Sequence, residues 1–351
     1  MHMADALISP AVGGVMWAAT AGLIGYSAKK VKEEMNERKV PLMGVTAAFI
    51  FAAQMINFTI PATGSSGHLG GGLIMAILLG PYAAFLAMAS VLTVQALFFA
   101  DGGLLALGCN IFNLGFWPCF VVYPLLFKTI AGAQPSRGRI IAGSLATAIV
   151  GLQLGAFSVV LETLASGISA LPFGTFVLLM QPIHLAIGVI EGFATAAVVL
   201  FVWKARPEII EASATAKPFE AVSIRNVLVG LGIATLITGA IVSWFASGQP
   251  DGLEWSMFKT SGHEELEAPE GVHQTLAGLQ EKTAFLPDYG FKAPPKAEGE
   301  KELAESWPAI SGGTSVSGLI GSVLTLLLAA LIAVVLRRRG AAATGNIKHP
   351  F

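Results

Sequence analysis

Charge is what this chain has least of. Only 12% of its 351 residues are Asp, Glu, Lys or Arg, half the roughly 25% of a soluble domain. With 54% hydrophobic residues and a mean hydropathy of +0.70, a water-soluble globule is excluded and a polytopic, all-α membrane protein embedded in lipid is expected. The net charge of −1 offers nothing to nucleic acid. Cysteine is scarce too. Cys109 and Cys119 fall in one apolar span, where small packing residues are expected rather than a disulfide or a metal pair. There is no Gly-x-x-x-x-Gly-Lys-Ser/Thr, so this chain does not hydrolyse nucleotide through a phosphate loop. There is no His-Glu-x-x-His, which argues against an intramembrane zinc protease. Nor does a basic stretch precede the first apolar run, so no cleaved signal peptide is expected and the bulky His2 is expected to protect Met1 from removal.

What is present is a series of apolar runs. The first spans residues 10–28 and ends in a segment rich in Lys and Arg, 29–39. By the positive-inside rule that segment is cytoplasmic, which places the N-terminus on the extracytoplasmic side. The second run, 41–58, returns the chain to a loop without Lys or Arg that carries His68. The next run, 69–100, is interrupted by Gly80-Pro81. Breaking it there keeps every later basic cluster inside. The half before the break is short: a helix from Ser66 to Leu79 covers about 21 Å, less than the ~30 Å hydrocarbon core. His68 is therefore expected in a recess, on non-helical backbone buried by protein.

Further spans follow at 82–100, 103–127, 139–164 and 175–203. They complete a seven-helix capture unit, residues 1–206. A polar cytoplasmic linker, 207–223, leads to a two-span module, 224–340, with spans at 227–245 and 317–336 and a large extracytoplasmic loop at 246–312. Residues 341–351 form a cytoplasmic tail. Forty glycines fit close helix packing in lipid.

The chemistry is concentrated at the start. A free amino terminus followed by histidine is a chelator. The Met1 amine, the deprotonated amide of His2 and His2 Nδ1 close a five-membered and a six-membered ring round one cation. The planar peptide keeps these three nitrogens near one plane. A planar nitrogen site suits Ni(II), Cu(II) or low-spin Co(II), whereas Zn(II) prefers a tetrahedron. His68, on the same face, is the best fourth donor.

Met1-His2, residues 52–58, and 64–72 (Gly-Ser-Ser-Gly-His-Leu-Gly-Gly-Gly) resemble the CbiM/NikM family. Residues 101–113 and 184–192 continue the likeness. These are the substrate-capturing membrane subunits of energy-coupling-factor transporters. The resemblance implies Co(II) or Ni(II) as cargo, no resident cofactor, and no enzymatic activity in this chain. It also implies a transmembrane coupling subunit and ATPase subunits as partners, and Met1, His2 and His68 as metal ligands. Ala6 and Thr59 depart from the usual motif but remove no ligand. Pro250-Asp251-Gly252-Leu253-Glu254 resembles the PDGLE/NikN-type accessory module. Its outer loop, with His263 and His273, is expected to be solvated, with metal collection as the alternative.

Asn57, Asn110 and Asn113 lie in the family motifs and are expected to orient His2 and His68. His184 and Glu191, seven apart, share one helix face. As ionisable groups inside a membrane they are functional candidates, and a hydrogen-bonded packing pair is an equal reading. They support a rival function, an intramembrane enzyme or metal sensor. A passive channel is a second rival.

The chelate geometry carries its own test. One residue inserted before Met1 makes histidine the third residue and supplies four planar nitrogens locally. That variant is expected to bind Ni(II) in equilibrium titrations without His68, yet to transport poorly because the cation is held too locally. Loss of binding contradicts the chelate.

Overall fold

The computed structural model describes residues 2–34, 37–132, 134–169, 171–215, 223–263, 266–292 and 307–345. Met1, the first proposed donor, lies outside them, as do Glu264, Glu265 and the last six residues of the tail.

The body is helical: α1 (Pro10–Glu34), α2 (Lys39–Gln54), α3 (Gly72–Leu79), α4 (Pro81–Phe99), α5 (Leu107–Ala131), α6 (Arg137–Ser166) and α7 (Phe173–Ala205). A short antiparallel ribbon joins α2 to α3. Its strands, β1 (Phe58–Ile60) and β2 (Ser65–Gly67), set Phe58 opposite Gly67 and Ile60 opposite Ser65. The C-terminal part adds α8 (Pro207–Thr215), α9 (Arg225–Ala240), α10 (Gly252–Ser261), α11 (Val272–Thr283) and α12 (Gly312–Gly345). Among the described residues, α1, α4, α5, α6, α7 and α12 are long and apolar enough to cross a membrane, while α2 and α9 are shorter apolar helices. The chain is thus a multi-pass helical membrane protein.

The expected third span differs from the structure in an informative way. Residues 65–67 are strand, and the helix begins only at Gly72. α3 has eight residues, about 12 Å at 1.5 Å per residue. All eight are buried. Gly71 caps α3 at φ +76°, and a Cβ there would lie 2.6 Å from Ile50. The backbone turns because only glycine takes this conformation cheaply at so close an approach.

α5 also starts later than the sequence suggests, at Leu107 rather than near Gly103. Its stretch Phe112–Phe127 widens into a π-helix containing Pro118 and Pro124. Each proline lacks an N–H and its ring pushes against the preceding turn, so the wider winding relieves both problems. The polar linker is not featureless either. α8 buries Ile209 and Ile210, and Ser213 Oγ donates to the Leu78 carbonyl, 2.7 Å away at the end of α3.

The C-terminal module is packed against the first unit. α12 runs along α2, and α9 touches both. α9 and α12 cross at two glycines: a Cβ on Gly318 would lie 2.2 Å from the Gly239 carbonyl oxygen. Small residues allow this approach, which favours helix association where lipid supplies no hydrophobic drive.

Gly318→Ala is expected to destabilise the module by about 1–3 kcal/mol through backbone overpacking. Gly232→Ala, with open space round the added methyl, should be neutral or slightly stabilising. Thermal unfolding of the detergent-solubilised chain checks both.

Candidate metal site

The site is built from segments that are not helices. Residues ahead of α1 have no helical partners for their main-chain groups, so side chains must supply them. Asn110 on α5 does this for Met3. Its Oδ1 accepts the Met3 N–H at 2.8 Å, and its Nδ2 donates to the Met3 carbonyl at 3.2 Å. The Gly103 N–H donates to the same carbonyl at 2.9 Å. Asp5 Oδ1 accepts the Ala106 N–H at 2.9 Å. The residue following His2 is therefore clamped on both edges.

His68 sits just beyond β2, and its loop is held from three sides. Glu191 on α7 accepts the N–H groups of Gly70 and Gly71, at 2.8 and 3.0 Å. Gln54 at the end of α2 donates to the Gly70 carbonyl at 2.8 Å, and Gln95 on α4 donates to Gln54 Oε1 at 2.9 Å. Ser66 donates its N–H to the Pro250 carbonyl and its hydroxyl to the Gln249 carbonyl.

These supports bring the two imidazoles of His2 and His68 together. Their rings are parallel to within 4°, with centroids 4.9 Å apart. His2 Nδ1 lies 3.0 Å from Asp101 Oδ1. Burial alone would raise the Asp101 carboxyl, but His2 and the Tyr289 hydroxyl, which donates to Oδ2, hold it below the usual carboxylate range. An ionised carboxylate only accepts, so His2 Nδ1 carries the proton here. A cation that takes Nδ1 must displace that proton and the Asp101 contact. Burial pushes His68 down to about 3, so this imidazole is neutral at physiological pH. Its Nδ1 donates to the Leu69 carbonyl at 3.0 Å, which leaves Nε2 with the lone pair.

The described part of the outer loop is docked rather than wholly solvated, although His263 is exposed, as expected. It folds over the two imidazoles and forms part of the wall of a cavity of about 500 Å³. Trp255 on α10 donates to the Thr63 carbonyl, and Gln280 on α11 donates to the carbonyls of Ala96 and Gly102. His273 is buried and its Nε2 donates to the Ile8 carbonyl at 2.9 Å, a seat unsuited to collecting metal at an entrance. Asp251 caps α10 by accepting from Leu253 and Glu254, and Glu254 returns a bond from its side chain to the Asp251 N–H. This reciprocal cap presents Asp251 Oδ2 3.9 Å from His68 Nε2.

The remaining expected residues divide. Asn57 lines the cavity, and its carbonyl accepts the Ser247 N–H. Asn113 donates to Glu162 on α6 at 2.7 Å and approaches the Met3 sulfur at 3.9 Å. His184 and Glu191 do not form the anticipated pair. His184 Nδ1 donates to the Met180 carbonyl one turn back, while Glu191 binds the loop of His68. Cys109 and Cys119 are free and buried, in keeping with a packing role. The sequence did not single out Asp101, Tyr289, Gln54 or Asp251 as site residues. Gln54, Asp101 and Asp251 stood inside quoted motifs, and only the chain path reveals that they lie near the imidazoles. Among the described residues, no three His, Cys, Asp or Glu side chains converge as a metal cluster. An ion held here would need main-chain nitrogen as well.

Asn110→Ala removes both bonds to Met3 and should loosen the chain next to His2. Indirect supports of metal ligands typically contribute 10–100-fold in affinity, and a Ni(II) affinity loss of roughly that size is expected by calorimetry. An unchanged affinity would show that this clamp does not position the site.

Comparison with known proteins agrees with this architecture. Residues 2–209 match the CbiM model, described as a cobalt uptake substrate-specific transmembrane region, and residues 225–338 match the PDGLE domain. A Haloquadratum walsbyi protein with a provisional metal-transport name is 39% identical over 60% of this chain and 93% of its own length. The fused nickel transport protein NikMN of Rhodobacter capsulatus is 30% identical over 96% of this chain and 94% of its own. A crystal structure of a transition metal transporter, 30% identical, superposes with a TM-score of 0.52 over 60% of this chain and 96% of that one. The chain therefore belongs to the CbiM family and carries a PDGLE domain behind its CbiM region.

Proposed function

We propose that this protein is the metal-capturing membrane subunit of an energy-coupling-factor transporter that imports Co(II) or Ni(II). It is a transport component rather than an enzyme, in line with its relatives. The observation that carries the reading is the approach of His2 and His68, far apart in the chain, to a ring-centroid separation of 4.9 Å at one cavity.

The chemistry follows from the donors. The Met1 amine, the His2 amide nitrogen and His2 Nδ1 occupy three corners of a plane, and His68 closes the fourth. The neutral His68 binds without losing a proton, whereas the Met1 ammonium and the His2 amide must each release one, and the His2 ring only moves its proton from Nδ1 to Nε2. Affinity therefore falls with acidity through the main-chain nitrogens of the site and not through His68. Square geometry excludes Zn(II) more than it excludes Ni(II) or Co(II). Cu(II) outranks both in affinity, so selectivity rests on supply. Asn110, Asn113, Asn57 and Glu191 keep the two halves in register, directly or through the loops they hold.

The capture face is extracytoplasmic in this reading, and Arg337 and Arg338 at the end of α12 lie on the cytoplasmic side, where Arg337 pairs with Glu37 at 3.2 Å. Energy comes from separate ATPase subunits acting through a transmembrane coupling subunit. The rival built on His184 and Glu191 gains no support, since His184 Nδ1 and both Glu191 carboxylate oxygens bond separate backbone groups rather than each other.

Purified chain with a native N-terminus is expected to bind one Ni(II) or Co(II) tightly, and acetylation of the amine is expected to abolish binding. His2→Ala should do the same while His184→Ala retains it. Equal affinity before and after acetylation would overturn the reading.

A further inference from the structure

The two imidazoles proposed as ligands are approached by different loops. His68 stands on the loop that leads into α3, and His2 rests against Asp101, in the loop after α4. One residue touches both loops. The main-chain carbonyl of Gln95, near the end of α4, accepts the N–H groups of Ala100 and Asp101, the latter at 3.2 Å. It thereby fixes where the loop after α4 begins, and with it the residue that meets His2 Nδ1 at 3.0 Å. The side chain of Gln95 points the other way along the network. Its Nε2 donates to Gln54 Oε1 at 2.9 Å, and Gln54 Nε2 donates onward to the Gly70 carbonyl at 2.8 Å. Gly70 follows His68 by two positions.

The chemistry of this chain of bonds is specific. Gln54 has to accept from one neighbour and donate to another. A primary amide does both, an ionised carboxylate only accepts, and an aliphatic side chain does neither. Gln54 and Gln95 are both buried, and buried amides are costly unless they are hydrogen-bonded. Filling this space does not require them, since two methionines have a similar length and carry no amide to satisfy. Glu191 holds the N–H edge of the His68 loop from α7. Gln54 holds the carbonyl edge and ties it to α4, the helix that ends at the loop of Asp101.

A planar site is sensitive to this spacing. Three of its nitrogens come from the first two residues, so the fourth must arrive in their plane and at one distance. Ni(II) gains from that plane, whereas Zn(II) accepts a displaced imidazole as one corner of a tetrahedron. Resting on the capture function above, we propose that Gln95, acting through Gln54, is a positioning residue for specificity: it sets the reach between the His2 and His68 halves and so favours a metal that takes square geometry. Gln95 touches neither imidazole and no metal. It acts through the two loops that it holds in register.

The test separates positioning from folding. Full-length protein with its native N-terminus is titrated with Ni(II) alone and with Zn(II) alone, and the visible absorption band of planar Ni(II) is recorded. Gln95→Met keeps the length of the side chain and removes its donor. It is expected to bind Ni(II) about 10–100-fold more weakly and to lose the planar band, with Zn(II) affinity changed less than about threefold. Gln54→Met should behave alike and serves if the first variant fails to fold. The double variant should bind no worse than the weaker single, because the two amides act as one strut. A residue that only supports folding would lower the unfolding temperature yet leave the band and the Ni(II)-to-Zn(II) preference of the folded protein at wild-type values. That outcome overturns the proposal, as does additive loss in the double variant. His68→Ala in the same series reports on the capture reading: if it keeps wild-type Ni(II) affinity and the planar band, that reading fails. Loss in His68→Ala with wild-type behaviour in Gln95→Met defeats this proposal alone.

Discussion

The structure turns on one requirement: main-chain groups buried inside a membrane protein must find partners there. The loop after β2 leaves helical geometry between His68 and Gly71, deep in the body, and its N–H groups have no helix to satisfy them. Glu191 accepts those of Gly70 and Gly71, and Gln54 donates to the Gly70 carbonyl. An acidic group at the start of α3 also complements the positive end of that helix. With those bonds in place His68 has one position. Without them the loop would carry several kcal/mol of unsatisfied polar groups. The same logic governs the other half, where Asn110 completes the peptide of Met3.

Two consequences follow for how the chain is assembled. First, α3 is short because its N-terminal half has been given over to the loop, and its far end is closed by Ser213 from the linker helix α8. The linker is thus part of the packed body. Second, the outer segment of the C-terminal module is the roof of the cavity. It is fastened by Ser66 to Pro250 and Gln249 and by Gln280 to the loop that carries Asp101. The two matched regions, 2–209 and 225–338, meet at the imidazoles. A fused chain keeps the roof at high local concentration over its site, as linkage of any two partners does.

Much of this was legible in the residues. Low charge and long apolar runs gave the helices, and the break at Gly80 separates α3 from α4 where the sequence placed it. Met1-His2 and His68 stood out because few side chains bind transition metals and because the loop pattern put two of them on one face. Less legible were the features that depend on distance through space. The strands Phe58–Ile60 and Ser65–Gly67 have three residues each, too few for alternation to stand out, so the sequence reads the first as the end of a span running into a loop and the second as the start of a helix. Glu191 was visible as an ionisable group in a span, but its partner is backbone, which sequence does not mark. His184 invited pairing by helix spacing and instead bonds its own preceding turn. The outer loop reads as polar and charged, hence solvated, yet its Trp255, Leu253 and His273 are the residues that face inward. Composition averages over the two faces of such a segment and hides the one that docks.

The central claim is a planar nitrogen site made from the start of the chain and the loop after β2. X-ray absorption spectroscopy of the Ni(II)-loaded, full-length protein tests it most directly. The account predicts a four-coordinate planar pre-edge feature, a first shell of nitrogen scatterers, and outer-shell scattering from two imidazoles. A six-coordinate shell of oxygen, or a sulfur scatterer from methionine or cysteine, would contradict it.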